Sequence, residues 1–277
     1  MHIGAKHIKI KGTAPIFFIS DLHLSKQMPA TSAAFFRFLQ HTAPQAQALF
    51  ILGDLFEYWV GDDCLYAHNA TISDLPRTVA AHLTALHRQG VAIYFLPGNR
   101  DFLLGTIFSK AASTTLLDDV CLLEIDTKEE TTSQRIVLAH GDTLCIADQA
   151  YQRYRHWVHK IWLQRLFLAC PLTWRWQLGK KIHAQSQAQQ SLHASKPYAD
   201  VDTTAAENLL RAYRAPLLIH GHTHQPQCHI LDNGLRWVLS DWDFDHAQRG
   251  SYLSLDPKEM KAGTIFMPKE LSVPYED

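Results

Sequence analysis

Ile16-Phe17-Phe18-Ile19-Ser20-Asp21-Leu22-His23 is an apolar run that stops on an acid and a histidine. A short apolar run closed by a turn reads as a buried strand. The pattern recurs downstream. Leu49–Leu52 ends on Gly53-Asp54, Val91–Leu96 on Pro97-Gly98-Asn99-Arg100-Asp101, Ile136–Ala139 on His140-Gly141-Asp142, and Leu217–Ile219 on His220-Gly221-His222-Thr223-His224. Helical periodicity over Ala30–Gln40 and Asp74–Gln89 separates the first three runs, so strands and helices alternate in an α/β layered core. After Gln225, His229–Leu231, Leu235–Ser240, Ser251–Leu255 and Gly263–Phe266 read as short strands, with Asn233-Gly234 as a hairpin turn. They predict a second sheet, and so a two-sheet sandwich flanked by helices.

With 277 residues, 47% of them hydrophobic, the chain can bury a large core. The balance of 26 Lys+Arg against 27 Asp+Glu points to no class of partner. Five scattered cysteines, Cys64, Cys121, Cys145, Cys170 and Cys228, form no C-x-x-C and argue against a disulfide framework or zinc ribbon. The stretch Met1–Gly12 has no apolar signal core, and no apolar run approaches about eighteen residues. The expectation is a soluble cytoplasmic protein acting as a monomer.

The stretch Gln149–Ala199 differs from the rest. It has no acid, eight Lys/Arg and four tryptophans, Trp157, Trp162, Trp174 and Trp176. It reads as helices broken at Pro171, a basic aromatic cap inserted at about 148–200 in an otherwise single domain over 1–277. Such a surface can hold anionic phosphates beside apolar chains, or rest on an anionic membrane. Single-stranded nucleic acid, or a helical hairpin with inward-facing tryptophans, is the alternative.

The five polar clusters each follow a strand, and in layered α/β folds strand ends converge on one ligand-binding edge. Carboxylates, imidazoles and an amide without cysteine suit Mn²⁺, Fe²⁺ or Zn²⁺. Asp21, His23 and His224 can hold one ion, Asn99, His140 and His222 a second, and Asp54 can bridge them. Two such ions lower the pKa of a shared water and stabilise phosphoryl oxygens during in-line attack. Histidines outside the pattern, such as His7, His82, His159 and His246, read as surface or structural.

The order D-x-H, G-D, G-N-R-D, H-G-D, G-H-T-H resembles the calcineurin-like metallophosphoesterase superfamily over about Ile16–Gln225. The fuller strings Gly53–Asp63, Gly98–Gly105, His140–Cys145 and Ile219–Pro226 are similar to its UDP-2,3-diacylglucosamine pyrophosphatase family of lipid A synthesis. That resemblance implies a Mn²⁺-dependent enzyme, peripheral to the cytoplasmic face of the inner membrane, which acts on a lipid-linked UDP-sugar and not on nucleic acid. Water would attack the α phosphorus and release UMP and 2,3-diacylglucosamine 1-phosphate, lipid X. Arg100 replaces the histidine of many relatives. Arginine cannot donate a proton at neutral pH, and a phosphate monoester leaving group needs little protonation, so an anion clamp fits. The alternative is structural pairing of Arg100 with Asp101 or Glu57.

The resemblance assigns catalysis to Asp54, Asn99, Arg100, His140 and His222. It assigns substrate contacts to Asn99, Arg100, His222, Asp148 and Ser186, with Tyr151 and Arg155 matching a Y-x-x-x-R stretch. Gln190 and His193 stand where the family often has Asn and Lys, and Lys196 can supply the missing charge. The competing functions are a different dinuclear-metal phosphodiesterase or phosphatase acting on a nucleotide or nucleic acid, and a scaffold that no longer catalyses.

Overall fold

A computed structural model describes residues 5–126, 133–192, 200–258 and 261–266. Its strands are β1 (Ala5–Lys11), β2 (Ile16–Ile19), β3 (Ala48–Leu52), β4 (Ala92–Leu96), β5 (Thr115–Asp126), β6 (Gln134–Ala139), β7 (Leu217–His220), β8 (Cys228–Leu231), β9 (Gly234–Val238), β10 (Ser251–Asp256) and β11 (Lys261–Phe266). The α-helices are α1 (Pro29–Arg37), α2 (Ala70–Arg88), α3 (Thr106–Ala111), α4 (Gln149–Val158), α5 (Ile161–Ala169), α6 (Leu172–Leu192) and α7 (Thr203–Tyr213).

The strands form one hydrogen-bonded path, β11-β10-β2-β3-β4-β5-β6-β7-β9-β8, with β1 alongside β5. The long β5 turns the corner. It pairs with β4 only through Thr115 and Leu116, then runs antiparallel to β6 from Val120 to Ile125. The path therefore folds into two layers that share one core. Alternate residues show this. Ile16 and Phe18 of β2 and Phe50 of β3 meet Leu123, Ile136, Leu138 and Ile219 of the other layer. Phe17, Ile19, Leu49 and Ile51 face outward onto a cluster with Phe35 of α1 and Val79 and Leu83 of α2. On the far side, Val137, Ala139 and Leu218 pack against Ala206 and Leu210 of α7. Strands buried on both faces read as continuous apolar runs, which is why these were visible in the sequence.

The strands after Gln225 do not make a sheet of their own. β8 and β9 extend one layer beside β7, while β10 pairs with β2 and carries β11 on the other. Short strands with exposed backbone edges gain most by joining existing sheet edges. The hairpin loop is Asp232-Asn233, because Leu231 pairs with Gly234. Helix α2 starts four residues before its expected start, where Asn69 accepts from the Thr71 N–H at 2.9 Å as an N-cap.

Candidate active site

The ends of β2, β3, β4, β6 and β7 lie on one edge, and backbone hydrogen bonds knit their loops together. Asp21 N–H donates to Gly53 O (3.1 Å), His23 N–H to Asp54 O (3.0 Å), and Gly221 N–H to His140 O (2.9 Å). The loops are also conformationally unusual. Asp21, His23, Asp54, His222 and His224 all have φ between 50° and 69°. Left-handed backbone is uncommon for non-glycine residues and is tolerated where surrounding structure fixes it for function. Gly98 and Gly221 permit the close approach: a Cβ on Gly98 would collide with the Asp54 carboxylate, and one on Gly221 with that of Asp21.

The expected donors come together. Nε2 of His224 and of His23 lie 3.3 Å and 4.0 Å from Oδ1 of Asp21, a fully buried oxygen on which no hydrogen-bond donor is aligned. The two Nε2 atoms are 3.4 Å apart. Nitrogens each about 2.1 Å from a shared ion at a near-tetrahedral angle sit about 3.4 Å apart. Oδ1 of Asn99 lies 2.9 Å from Nε2 of His140 and 3.0 Å from Nδ1 of His222. Oδ2 of Asp54 is 3.6 Å from Nε2 of His140, and Asp54 clusters with Asp21 and His140. Asp54 is thus shared between the two groups of donors.

Ring orientation is set from behind. Nδ1 of His140 donates to Leu52 O at 2.9 Å in the tautomer that leaves Nε2 free to ligate. Nδ1 of His224 lies 3.5 Å from Asp241, which is itself gripped by Arg249. Nδ1 of His23 lies 3.0 Å from Glu57, off the N–H line, so the contact is electrostatic more than a hydrogen bond. Acceptors behind metal-binding histidines fix tautomer and orientation in this way.

The electrostatics call for cations. Burial opposes ionisation of Asp21, but the neighbouring His224, His140 and His23 hold its carboxyl well below the usual range. Burial likewise opposes charge on His23 and His140, yet facing carboxylates, Glu57 and Asp54 foremost, raise both to about 9. His222, buried and close to His140, is pushed down to about 3 and stays neutral. The residues fit a pair of divalent ions, which would replace the protons on His23 and His140.

Asp101 does not take the one role raised for it, pairing with Arg100. It is fully buried and accepts backbone N–H groups of Gly98 (2.8 Å) and Leu55 (2.8 Å), and at longer range those of Asp54 and Phe56. Burial and the nearby Asp54 charge raise it to about 7. Arg100 instead has its guanidinium 3.5 Å from Glu57 and its backbone N–H on Asp54 at 2.8 Å.

The loops open into a cavity of about 590 Å³. Asp54, Asn99, Arg100, His222 and His224 of the loops line it, together with Leu163, Phe167, Leu178 and Ile182 of α5 and α6. Asp148 also lines it, and caps α4 by accepting from Tyr151 N–H at 2.9 Å. Tyr151 donates to Asp142 at 2.5 Å, and Arg155 is held between Asp142 (2.8 Å) and Asp119 (2.6 Å), so Arg155 serves anchoring. Arg175, also among the cap's counted cations, is only 2% exposed and is spent on Asp63, Val60 O and Cys170 O. Ser186 and Gln190 fall on α6, but their side chains, and the whole of His193 and Lys196, lie outside the described residues. Of the four tryptophans, Trp176 packs inward on Tyr58, with ring centroids 4.9 Å apart, while Trp157, Trp162 and Trp174 are at least half exposed. His159, read as surface or structural, stacks on Phe102 with ring centroids 4.9 Å apart.

The Calcineurin-like phosphoesterase family model matches residues 14–226. The chain belongs to this family. It is 50% identical over 265 residues to a UDP-2,3-diacylglucosamine hydrolase of Ralstonia nicotianae, covering 92% of this chain and 94% of that one. Proteins of the same name from Aeromonas hydrophila subsp. hydrophila (43%, covering 88% and 95%) and Neisseria meningitidis serogroup B (42%, covering 92% and 98%) are also similar. Among solved structures, an archaeal phosphodiesterase aligns over 91% of this chain and 99% of its own, at 14% identity and a TM-score of 0.45.

Glu57 was foreseen only as a structural partner of Arg100, and Asp241 was not foreseen. Glu57 stands in a string already singled out, three positions past Asp54, and a carboxylate so near an expected ligand was a usable signal. Asp241 lies 17 positions beyond His224, and nothing local marked it.

Proposed function

We propose that the chain hydrolyses the pyrophosphate bond of UDP-2,3-diacylglucosamine, giving UMP and 2,3-diacylglucosamine 1-phosphate. The carrying observation is one cavity lined both by carboxylates, imidazoles and Arg100 from the loops and by apolar side chains of α5 and α6. A substrate with a pyrophosphate beside acyl chains has this polarity. The relatives' shared name points to the same molecule.

In this reading Asp21, His23 and His224 hold one divalent ion, Asn99, His140 and His222 hold another, and Asp54 serves both. Such ions, Mn²⁺ in our proposal, lower the pKa of a water and offset phosphate charge. The protein's own groups do the rest. Arg100 lines the cavity and offsets charge on the pyrophosphate. Its permanent charge suits a leaving group that needs no proton. Asn99 and His222 face the same phosphates, and Asp148 lies where the sugar would pass. Ser186, Gln190 and His193 complete the cap's contacts, by resemblance. The apolar side chains of α5 and α6 shield the reacting groups from bulk water. Water adds to the α phosphorus as the bond to the lipid-sugar phosphate breaks, so the new oxygen ends on UMP.

The same proposal takes the chain as one domain over 1–277, with α4–α6 as the cap at about 148–200, acting as a monomer on the cytoplasmic face of the inner membrane. Among the described residues, no helix is long and apolar enough to cross a membrane. Exposed Trp157, Trp162, Leu166 and Trp174, with Arg153, Arg165 and Lys181 exposed on the same three helices, support peripheral contact with anionic lipid.

Incubation with UDP-2,3-diacylglucosamine in mild detergent, ¹⁸O-water and either Mn²⁺ or EDTA, followed by mass spectrometry, tests the reading. Labelled UMP with unlabelled lipid X, formed only with Mn²⁺, is expected. Label on lipid X would move the attack to the other phosphorus. Turnover of a generic phosphodiester or a nucleic acid, but not of this substrate, would overturn the lipid assignment.

A further inference from the structure

Glu57 is placed to serve two parts of the site at once. Its backbone N–H donates to Leu24 O at 3.2 Å, and Phe56 bridges to Leu24, so the loop after β3 is fixed to the loop after β2. From that anchorage its carboxylate divides. Oε2 lies 3.0 Å from Nδ1 of His23, and Oε1 lies 3.5 Å from the Arg100 guanidinium. The Glu57 side chain is 14% exposed, those of His23 and Arg100 14% and 18%, and all three line the cavity. Water therefore screens these contacts only weakly.

We infer that Glu57 is a positioning residue that couples the orientation of the His23 ring to the placement of the Arg100 guanidinium. A carboxylate beside Nδ1 keeps the proton there and turns the Nε2 lone pair toward Asp21 and His224. The other oxygen draws the flexible arginine to one side of the cavity, where it meets an entering phosphate in a fixed place. One loop residue thus sets the geometry on both the metal side and the substrate side. The inference rests on His23 acting as a ligand.

The experiment compares Mn²⁺ binding, by electron paramagnetic resonance titration of the full chain, with steady-state kinetics for Glu57→Gln, Arg100→Ala, the double variant and His23→Ala. Melting temperature serves as a folding control, with Glu57→Asp as the second variant if Glu57→Gln melts early. His23→Ala is expected to lose one of two Mn²⁺ ions; if it keeps both, the ligand reading fails, and this inference with it. With that control met, Glu57→Gln should bind one Mn²⁺ about 10- to 100-fold more weakly, the usual cost of removing a group behind a ligating histidine. Arg100→Ala should keep both ions. In kcat/KM the Glu57 and Arg100 substitutions should be less than additive, because the second removes a contact already lost. Wild-type Mn²⁺ affinity in Glu57→Gln, or full additivity with Arg100→Ala, would overturn the coupling. A purely structural role would lower melting temperature without the selective loss of one ion.

Discussion

The loops at the strand ends and the three helices α4–α6 meet at one cavity, yet they are built on opposite terms. In the loops, the polar side chains of the site are buried or half-buried, and several are backed by a neighbour. His140 leans on Leu52 O, Asp101 takes four backbone N–H groups, and Asp54 takes the N–H of Arg100. In the helices, large apolar side chains stand in the open, with Trp162 59% and Leu166 60% exposed, while Arg155 and Arg175 are turned inward. Hydrogen-bonded loops and an exposed apolar helical surface around one cavity suit the proposed reaction, whose chemistry is fixed but whose acyl chains need not be. Substitutions in the loops should therefore change chemistry, and those in the helices should change docking or stability.

The strongest way to break that contrast is Asp54→Ala. In our reading Asp54 serves both ions, and its Oδ1 also accepts from Arg100 N–H at 2.8 Å. Its loss should lower kcat by about 10³-fold or more, and metal analysis should find fewer than two ions per chain. A variant that retained substantial activity or both ions would remove Asp54 from the centre of the site.

The same contrast explains what could be read in the sequence. The loops that carry the proposed ligands were legible because they follow largely buried strands. Asp21 follows Ile16–Ile19, and His140 follows Gln134–Ala139. Their left-handed backbones were not foreseen, because aspartate and histidine are enriched at positive φ but too weakly for the residue type to mark a position. β5 was not foreseen, since Asp118 and Asp119 interrupt its apolar pattern where the strand changes partners. α7 escaped notice behind a run of small and polar residues, and only Ala206 and Leu210 are buried on it. In the cap, composition was readable but pairing was not. Counting cations treated Arg175 as available for phosphate, and only the fold shows it facing Asp63 and two carbonyls.

Arg175→Met sharpens the comparison from the helical side. The substitution keeps the apolar stem but strands the carbonyls of Val60 and Cys170, at a cost of about 1 to 3 kcal/mol for unmet buried acceptors. Asp63, with its side chain 51% exposed, can rehydrate and adds little. The melting temperature should fall by roughly 3 to 8 °C, and limited proteolysis should cut α5–α6 sooner, while Mn²⁺ stoichiometry stays unchanged. Loss of metal in this variant would mean that the helices help to shape the ligand loops, and the division drawn above would fail.

The smallest effect expected is on Trp162→Ser. Trp162 is 59% exposed on α5 and is not among the residues lining the cavity. If this face rests on lipid, removing one interfacial ring forfeits about 1 kcal/mol at roughly 25 cal/mol per Å² of apolar surface, about fivefold in partitioning. Vesicle co-sedimentation with anionic lipid should show that drop, while turnover of substrate presented in detergent micelles stays within about twofold, since the ring touches no reacting group. Unchanged sedimentation would take the exposed tryptophans out of membrane contact. A fall in micellar turnover with sedimentation intact would instead place Trp162 on the acyl chains, and the exposed apolar face would belong to the substrate alone.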